Sequence, residues 1–216
     1  MKKKLSPTLT FNINNFETIC DKLAKKDIDL RKIIHSYGYP PFWDRVASFE
    51  TLVYIILEQQ VSLSSARAAF LKLKEKLTDI TPESLLQLSD DEMRACYFSR
   101  QKTIYARDLA GAILSKKLDL DSFLNLENEE IRTALTQVKG IGNWTVDVYL
   151  MMVMHRTNLF PLGDVALIRS IKENKELQPG ITKEEIAEIA NSWQPYQTIA
   201  AYLLWHAYLC KRKTAL

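Results

Sequence analysis

Apolar residues recur every three or four positions along most of the chain, which is the spacing of one face of an α-helix. The clearest examples are the segments FETLVYIILEQQ, SARAAFLKLKEKL and TIYARDLAGAILSKKL. No segment alternates apolar and polar residues between hairpin-type dipeptides, as β-strands would. The sequence therefore predicts an all-α protein of ten or more short helices. Only the first dozen residues, around TLTFNI, suggest a non-helical piece.

Helix-start signals support this interpretation. In a capping box, two side chains three residues apart satisfy the first free amides of a helix. A residue that favours the N-cap, followed by a proline, marks a helix start as well. The capping-box pairs are Asn14 with Glu17, Ser89 with Glu92 and Thr182 with Glu185, and Thr81 precedes Pro82.

Size and charge leave the choice of function open. A chain of 216 residues forms one domain or two small ones and buries a sizeable core. Its net charge is only +3, so the total charge gives no argument for a polyanionic partner. A nucleic-acid surface would have to come from local charge placement.

The cysteines and the apolar runs indicate the compartment. Cys20, Cys96 and Cys210 are far apart, so they predict neither a disulfide framework nor a metal site, and an iron–sulfur cluster would need four ligands. The basic N-terminus lacks the apolar stretch of a signal peptide. The longest apolar run, residues 146–154, is too short to span a bilayer. We expect an intracellular protein that does not associate with membranes.

Two of the six glycines, Gly140 and Gly142, stand close together between two helical patterns. Glycines at alternate positions tolerate positive φ and allow another backbone or a phosphate to approach. The free amides of the turn and of the following helix favour an anion. Lys139, Gly140 and Gly142 therefore predict a phosphate-binding helix–hairpin–helix, and a plain turn between helices is the alternative.

Asp164 follows Gly142 by 22 residues and lies between a glycine and a new helical pattern, in the segment NLFPLGDVALIRSI. Aspartate commonly serves as a helix N-cap, and that is one interpretation of this residue. A carboxylate with a chemical role is the other.

Taken together, V-x-G-I-G-x-W-T and F-P-x-G-D-x-A-L resemble the motifs of helix–hairpin–helix DNA glycosylases, in the branch of 3-methyladenine DNA glycosylase II. The resemblance covers residues 48–209. It implies a compact two-subdomain all-α array with the DNA and base cleft between the subdomains. Residues 46–216 would form the glycosylase domain, and residues 1–45 a segment that packs on its core without forming a full domain.

The resemblance implies that Asp164 is the catalytic carboxylate. Cleavage of a base–sugar bond builds oxocarbenium-like charge on the sugar, and a fixed carboxylate stabilises that charge or positions a water molecule. An alkylated purine already carries positive charge, so its departure needs little protonation. One residue can cap a helix and act in catalysis at the same time.

The resemblance also assigns the base pocket. Trp144 stands where lyase-competent relatives such as endonuclease III carry a nucleophilic lysine, so no lyase activity is expected. Trp144 and Trp205 would stack on a cationic base, whereas Trp193 is expected to be structural. Phe42 and Trp43 are candidates for the pocket border. For all four candidates, packing in the core is the alternative.

The DNA-contacting residues come from two further segments. In EQQVSLSS, the resemblance makes Gln60 the residue that fills the duplex gap left by the flipped base, with Gln59 and Ser62 serving the turn and the helix cap. In CYFSRQK, Arg100 and Lys102 are candidate phosphate contacts, and a solvated basic face is the alternative.

Two details of the CYFSRQK segment complete the assignment. Ser99 is placed to cap the helix that follows it. Tyr97 replaces a glycine that is usual in the turn of the family, and this departure bears on the geometry of the turn but not on a catalytic residue.

These residues predict a monofunctional glycosylase of base excision repair that flips out and hydrolyses alkylated purines of the 3-methyladenine and 7-methylguanine type. Two alternatives stay open: a glycosylase of the same fold for a neutral oxidised, deaminated or mismatched base, and a non-catalytic DNA-binding module. Asp164 favours an enzyme, because a carboxylate near a phosphate-facing surface repels DNA.

Partners and cofactors follow from the same resemblance. The expected partner is double-stranded DNA with alkylated bases, bound by a monomer. No cofactor is expected apart from a monovalent cation, Na⁺ or K⁺, at the hairpin carbonyls of residues 138–142. The location would be the bacterial cytoplasm and nucleoid, or a eukaryotic nucleus.

Overall fold

A computed structural model describes residues 9–212 of the chain. These residues form twelve α-helices and one 3₁₀ helix, and no strand occurs among them, so the predicted all-α class is confirmed. The α-helices are α1 Ile13–Lys26, α2 Ile28–Tyr37, α3 Phe49–Glu58, α4 Leu63–Lys76, α5 Pro82–Leu86, α6 Asp90–Ala95, α7 Arg100–Leu114, α8 Asn128–Thr136, α9 Asn143–Met152, α10 Val165–Asn174, α11 Lys183–Asn191 and α12 Gln197–Lys211. The 3₁₀ helix is Asp121–Asn125. None of the helices described combines the length and apolar character needed to cross a bilayer.

The chain divides into two compact units. The central unit is Arg45–Tyr149, with α3 to α8 and most of α9, and the terminal unit combines, of the described residues, 9–44 with 150–212. The boundary thus falls inside α9. The division at residue 45 into an N-terminal segment and a glycosylase domain stays a prediction.

The terminal unit is built around α12, which is buried on all sides over residues 198–205. A helix that is apolar all round has to lie inside a core. Helices α1, α2, α10 and α11 pack against it. Phe11 and Phe16 add an aromatic cluster with Tyr202 of α12, with ring centroids 5.7 and 5.8 Å from that of the tyrosine.

The first residues described are not helical, in agreement with the sequence. Thr10 forms an isolated antiparallel bridge with Arg156, and α1 begins at Ile13. The rest of the predicted non-helical piece, residues 1–8, lies outside the described residues.

Most of the predicted helix starts are confirmed. Ser89 and Thr182 accept hydrogen bonds from the amides of Glu92 and Glu185 and complete capping boxes with them. Thr81 caps α5, and the proline after it is the first helical residue.

The predicted start at Asn14 is wrong. The N-cap of α1 is Asn12, whose side chain accepts from the amides of Asn14 and Asn15, and Asn15 completes the box. Asparagine is an equally good cap at either position, and the earlier start extends the helix by two residues. Asn14 is therefore helical, and Glu17 lies beyond the box.

Asp27 joins three parts of the terminal unit. Its Oδ1 accepts from the amides of Asp29 and Leu30 at 2.9 and 3.2 Å and so caps α2. Its Oδ2 accepts from Lys175 Nζ at 2.7 Å, just after α10, and from Trp193 Nε1 at 2.8 Å. Trp193 is 2% exposed and lies in the core, which fits the structural role expected from the sequence.

The environment of Asp27 lowers its pKa below the usual value of 3.8. Burial raises the pKa, but hydrogen bonds from Lys175, Trp193 and the Leu30 amide, together with the lysine charge, outweigh burial. A carboxyl group whose pKa is lowered by folding stabilises the folded state above its unfolded pKa. This contribution is lost as the pH falls through the lower, folded pKa.

We predict that Asp27→Asn lowers the free energy of unfolding at pH 7 by about 3 kcal/mol, because Lys175 loses its main partner in a mostly buried site. The side chains of Asp27 and Lys175 are 11% and 15% exposed. Chemical denaturation should show the difference from wild type shrinking as the pH falls below 3.8.

The control for this experiment is Asp91→Asn. Asp91 pairs with Arg94, but their side chains are 87% and 76% exposed. Such a pair contributes little to stability, so the control should unfold like wild type. Equal stability of Asp27→Asn and wild type at pH 7 would contradict the role of Asp27.

Candidate functional site

Asp164 is held in place by the end of a turn and the start of α10. Pro161 begins the turn, and the Asp164 amide donates to its carbonyl oxygen at 2.9 Å. The Asp164 side chain then caps α10, with Oδ1 accepting from the Leu167 amide at 2.7 Å. The capping interpretation of the sequence is therefore confirmed. A carboxylate at a helix N-terminus also interacts favourably with the helix dipole.

The same carboxylate oxygen accepts a second hydrogen bond. Trp205 Nε1, on α12, donates to Asp164 Oδ1 at 3.1 Å. Two N–H donors from different helices fix the orientation of the carboxylate, although Asp164 itself stays partly exposed. The sequence contains no signal for this contact, because the two residues are 41 positions apart.

An aromatic group surrounds this contact. Trp205 is 8% exposed, and its ring meets that of Trp43 edge-on, with centroids 6.2 Å apart. Trp43 in turn meets Tyr202 edge-on at 4.9 Å. Asp164, Trp205 and Trp43 thus form one cluster inside the terminal unit, which we call the carboxylate–tryptophan cluster.

Phe42 packs away from this cluster. Its ring stacks on His155 with centroids 5.0 Å apart and meets Phe11 and Phe16 edge-on. Of the two candidates for the pocket border, only Trp43 contacts Trp205. The packing alternative accounts for Phe42.

The predicted hairpin is present in the central unit. Helix α8 ends at Thr136, the Ile141 amide donates to Val138 O at 3.1 Å, and α9 begins at Asn143. Val138 and Ile141 are each 4% exposed and anchor the turn in the core. Lys139 is exposed between them.

The two hairpin glycines have different requirements. Gly140 has φ +85°, and a Cβ there would overlap the Tyr105 ring. Gly142 has no heavy atom within 4 Å of a Cβ position and is not in the left-handed region. Only Gly140 is required by the fold, while Gly142 leaves open space on the surface of the turn. The open space at Gly142 is compatible with the close approach of a phosphate, and that contact stays a prediction.

An ion pair holds the two hairpin helices together. Arg132 of α8 donates to Asp147 Oδ1 of α9 at 2.6 Å and to Asn143 Oδ1 at 3.2 Å. Burial raises the pKa of Asp147, and the bonds from Arg132 oppose that shift. The pair therefore links α8 to α9 at a partly buried position.

Trp144 is the second residue of α9, as expected from the sequence, and it is half-buried. Trp193, in contrast, lies fully in the core. Part of the Trp144 side chain is therefore open to solvent, which a base-contacting residue needs. Its role stays a prediction.

The turn between α3 and α4 carries the proposed gap-filling residue. Gln59 is the C-cap of α3, and Ser62 caps α4 by accepting from the Ser65 amide. Between them, Gln60 is exposed and has φ +56°. Non-glycine residues with such φ are uncommon and cluster at functional positions.

Contacts join this turn to the hairpin. Gln59 Nε2 donates to Gly140 O and to Thr145 Oγ1, both at 2.9 Å. The predicted turn and cap roles of Gln59 and Ser62 are both found, and Gln59 has this additional contact, which sequence spacing does not reveal.

The two basic candidates on α7 differ in position. Ser99 caps α7 as expected, and Arg100 is exposed. Lys102 instead donates to Leu57 O at the end of α3, at 2.6 Å, and burial lowers its pKa. Its phosphate contact stays a prediction. Tyr97 has φ +62°, so the tyrosine adopts the conformation that the usual glycine would favour.

The described residues contain no cluster of three or more His, Cys, Asp or Glu side chains suited to a metal ion. Cys20 and Cys96 are buried free thiols, and burial raises the pKa of Cys20 to about 12. Neither thiol is therefore poised as a thiolate ligand.

Comparison with known proteins yields a family match. The model of the HhH-GPD superfamily of base excision DNA repair proteins matches residues 53–195. DNA-3-methyladenine glycosylase 1 of Schizosaccharomyces pombe is 28% identical over 211 residues, which cover 91% of this chain and 92% of that protein. The alkylbase DNA glycosidase-like protein mag2 of the same yeast is 26% identical over 172 residues, which cover 77% and 81%.

A solved structure shows the same fold. The 3-methyladenine DNA glycosylase Mag1 of S. pombe, in complex with abasic DNA, superposes with a TM-score of 0.81 and 27% identity. The match covers 87% of this chain and 95% of that one.

The hairpin geometry generates a prediction about stability. Gly140→Ala should lower the free energy of unfolding by about 2 kcal/mol or more, because the alanine is strained at positive φ and its Cβ meets Tyr105. Gly142→Ala should change it by less than about 1 kcal/mol, since its site is open. Chemical denaturation of both variants tests this contrast, and equal effects would contradict it.

Proposed function

Because the chain belongs to the HhH-GPD superfamily of base excision DNA repair proteins, we propose that it is a monofunctional DNA glycosylase that excises alkylated purines by hydrolysis. The main support is Asp164, a partly exposed carboxylate that two N–H donors hold beside Trp205 and Trp43. The product is an abasic site and a free base.

The chemistry follows from this carboxylate. As the base–sugar bond lengthens, positive charge builds on the sugar, and a fixed negative group beside it lowers the barrier. Leu167 N and Trp205 Nε1 hold Asp164 in one orientation before substrate binds. Such preorganisation avoids the reorganisation that a mobile side chain would need.

The aromatic residues support the substrate class. A purine methylated at N3 or N7 is cationic, and electron-rich indole rings attract a cation through stacking and cation–π interaction. Trp205 and Trp144 are the base-contacting residues in this proposal, and Trp43 orients Trp205. Several similar proteins carry the name DNA-3-methyladenine glycosylase, which agrees with an alkylated base.

DNA binding involves the central unit. The open surface at Gly142 and the start of α9 suit a phosphate, while Lys139 and Arg100 are exposed charges that support the same contact. Gln60 fills the gap left by the flipped base. The related Mag1 structure contains abasic DNA, which is the product of such a reaction.

The carbonyl oxygens of the hairpin are suitable ligands for the monovalent cation that we propose there. The carbonyl oxygens of residues 138–142 are hard ligands of the kind that bind Na⁺ or K⁺. Two of them accept hydrogen bonds, Val138 O from Ile141 N and Gly140 O from Gln59 Nε2. A carbonyl oxygen has a second lone pair, so both remain suitable. The cation would brace the turn and take no part in the chemistry.

We further propose that the protein acts as a monomer and is located inside the cell, where its substrate DNA lies.

The deciding experiment is the release of free base from methylated duplex DNA, with the products separated by chromatography. We predict that wild type releases 3-methyladenine and that Asp164→Asn slows release about 100-fold or more, because the charge is lost. Asparagine caps helices as well as aspartate does, so folding should be preserved.

Binding to an abasic duplex is the control for Asp164→Asn and should stay within about threefold of wild type. Release by the variant at the wild-type rate would leave Asp164 with only its capping role. Wild-type release of an oxidised or mismatched base, but of no alkylated one, would favour the neutral-lesion alternative.

The indole at position 144 predicts the absence of lyase activity. Borohydride should trap no covalent protein–DNA adduct, because Trp144 offers no amine to attack the sugar. Trp144→Lys should not create a lyase by itself, since the new amine would also need a lowered pKa and the correct orientation towards the sugar carbon. Efficient trapping by wild type, abolished by changing one lysine, would refute this prediction.

A further inference from the structure

Gln59 joins the turn that carries Gln60 to the hairpin through two side-chain hydrogen bonds. Its two amide hydrogens are donated to Gly140 O and Thr145 Oγ1, each at 2.9 Å. Thr145 is 1% exposed, so at least one of these bonds lies inside the core of the central unit. Loss of the donor would leave buried acceptors without a partner.

The turn needs such a contact because its conformation is unfavourable. Gln60 has φ +56° and its side chain is exposed, so it gains nothing from burial. A non-glycine residue persists in this region only when the surrounding structure holds it there. Gln59 is the adjacent residue and the C-cap of α3, so its two bonds constrain the backbone at the start of the turn.

Helix α7 supports both segments from one face. Lys102 donates to Leu57 O at the end of α3, Tyr105 packs on Gly140, and Asp108 accepts from the Lys139 amide at 2.7 Å. These three α7 residues follow each other at intervals of three and therefore lie on neighbouring positions of one helix face. The end of α3 and the hairpin thus both contact α7, which fixes their positions relative to each other.

We propose that Gln59 is a positioning residue that sets Gln60 relative to the phosphate-binding hairpin. A phosphate held at the hairpin and a side chain inserted into the base stack must be a set distance apart on the duplex. Gln59 keeps that distance by linking the two segments directly. The inference rests on the proposed function for its DNA ligand, but it concerns binding and not bond cleavage.

The test uses a duplex that contains a tetrahydrofuran abasic analogue with 2-aminopurine opposite it. Insertion of a side chain at the gap changes the stacking of 2-aminopurine and raises its fluorescence. At saturating protein, wild type should give the full increase, and Gln60→Ala should lose most of it. Gln59→Met, which keeps length but removes both donors, should lose about as much.

A double variant separates positioning from a general loss of stability. If Gln59 acts through Gln60, then Gln59→Met should cause no further loss on the Gln60→Ala background. Base release from methylated duplex should fall about tenfold in Gln59→Met. Gln87→Met is the matched control, because Gln87 is an exposed C-cap of α5, and it should behave like wild type.

A pH series tests whether the hydrogen bond that residue 59 donates is what produces the effect. In Gln59→Glu the ionised carboxylate faces Gly140 O and donates nothing, whereas the protonated form donates one hydrogen bond. The fluorescence increase of this variant relative to wild type should therefore recover between about pH 8 and about pH 5. If Gln59→Met does not fold, Thr145→Val removes one acceptor and should give part of the same loss.

Three outcomes would overturn the proposal: a full increase in Gln59→Met, additive losses with Gln60→Ala, or no increase in wild type. Failure of the proposed function is distinguishable. A wild-type protein that releases no alkylated base, but shows the predicted fluorescence pattern, would refute the proposed excision of alkylated purines and leave the positioning role intact.

Discussion

The central unit depends on one backbone constraint, the positive φ of Gly140 against the ring of Tyr105. No side chain fits between that backbone and the ring, so the turn after α8 can approach α7 only with glycine at this position. The approach places the Gly140 carbonyl within reach of Gln59 and sets where α9 begins. The first turn of α9 carries Trp144, and Gly142 lies open before it. One close contact thus sets the positions of the half-buried indole and of the amides that we propose bind a phosphate.

Under the proposed function, one geometry at Asp164 serves both stability and chemistry. The hydrogen bond to the Leu167 amide is an ordinary helix cap, and the bond from Trp205 ties the carboxylate to the central helix of the terminal unit. Both bonds use the same oxygen and fix the plane of the carboxyl group. A catalytic carboxylate needs this fixed orientation, because a group that must reorganise during the reaction stabilises the transition state less.

Charged residues in this protein often act inside the structure. Arg132 links α8 to α9, Lys102 donates to the Leu57 carbonyl of α3, and Lys175 donates to Asp27. Such residues are counted in the net charge of +3 but are oriented towards protein groups. The DNA contacts that we propose therefore use exposed residues, Lys139 and Arg100, together with backbone amides.

The sequence by itself determined the all-α class, several of the helix caps, the hairpin turn and the capping role of Asp164, because these signals act over about four residues. Tertiary structure decided the rest. The Trp205–Asp164, Lys102–Leu57 and Gln59–Gly140 contacts join residues 41, 45 and 81 positions apart, and no local pattern encodes them. The positive φ of Gly140 and its packing against Tyr105 distinguish it from Gly142. Which side chains meet across a core depends on how the whole unit packs. The spacing of residues along the chain does not reveal these contacts.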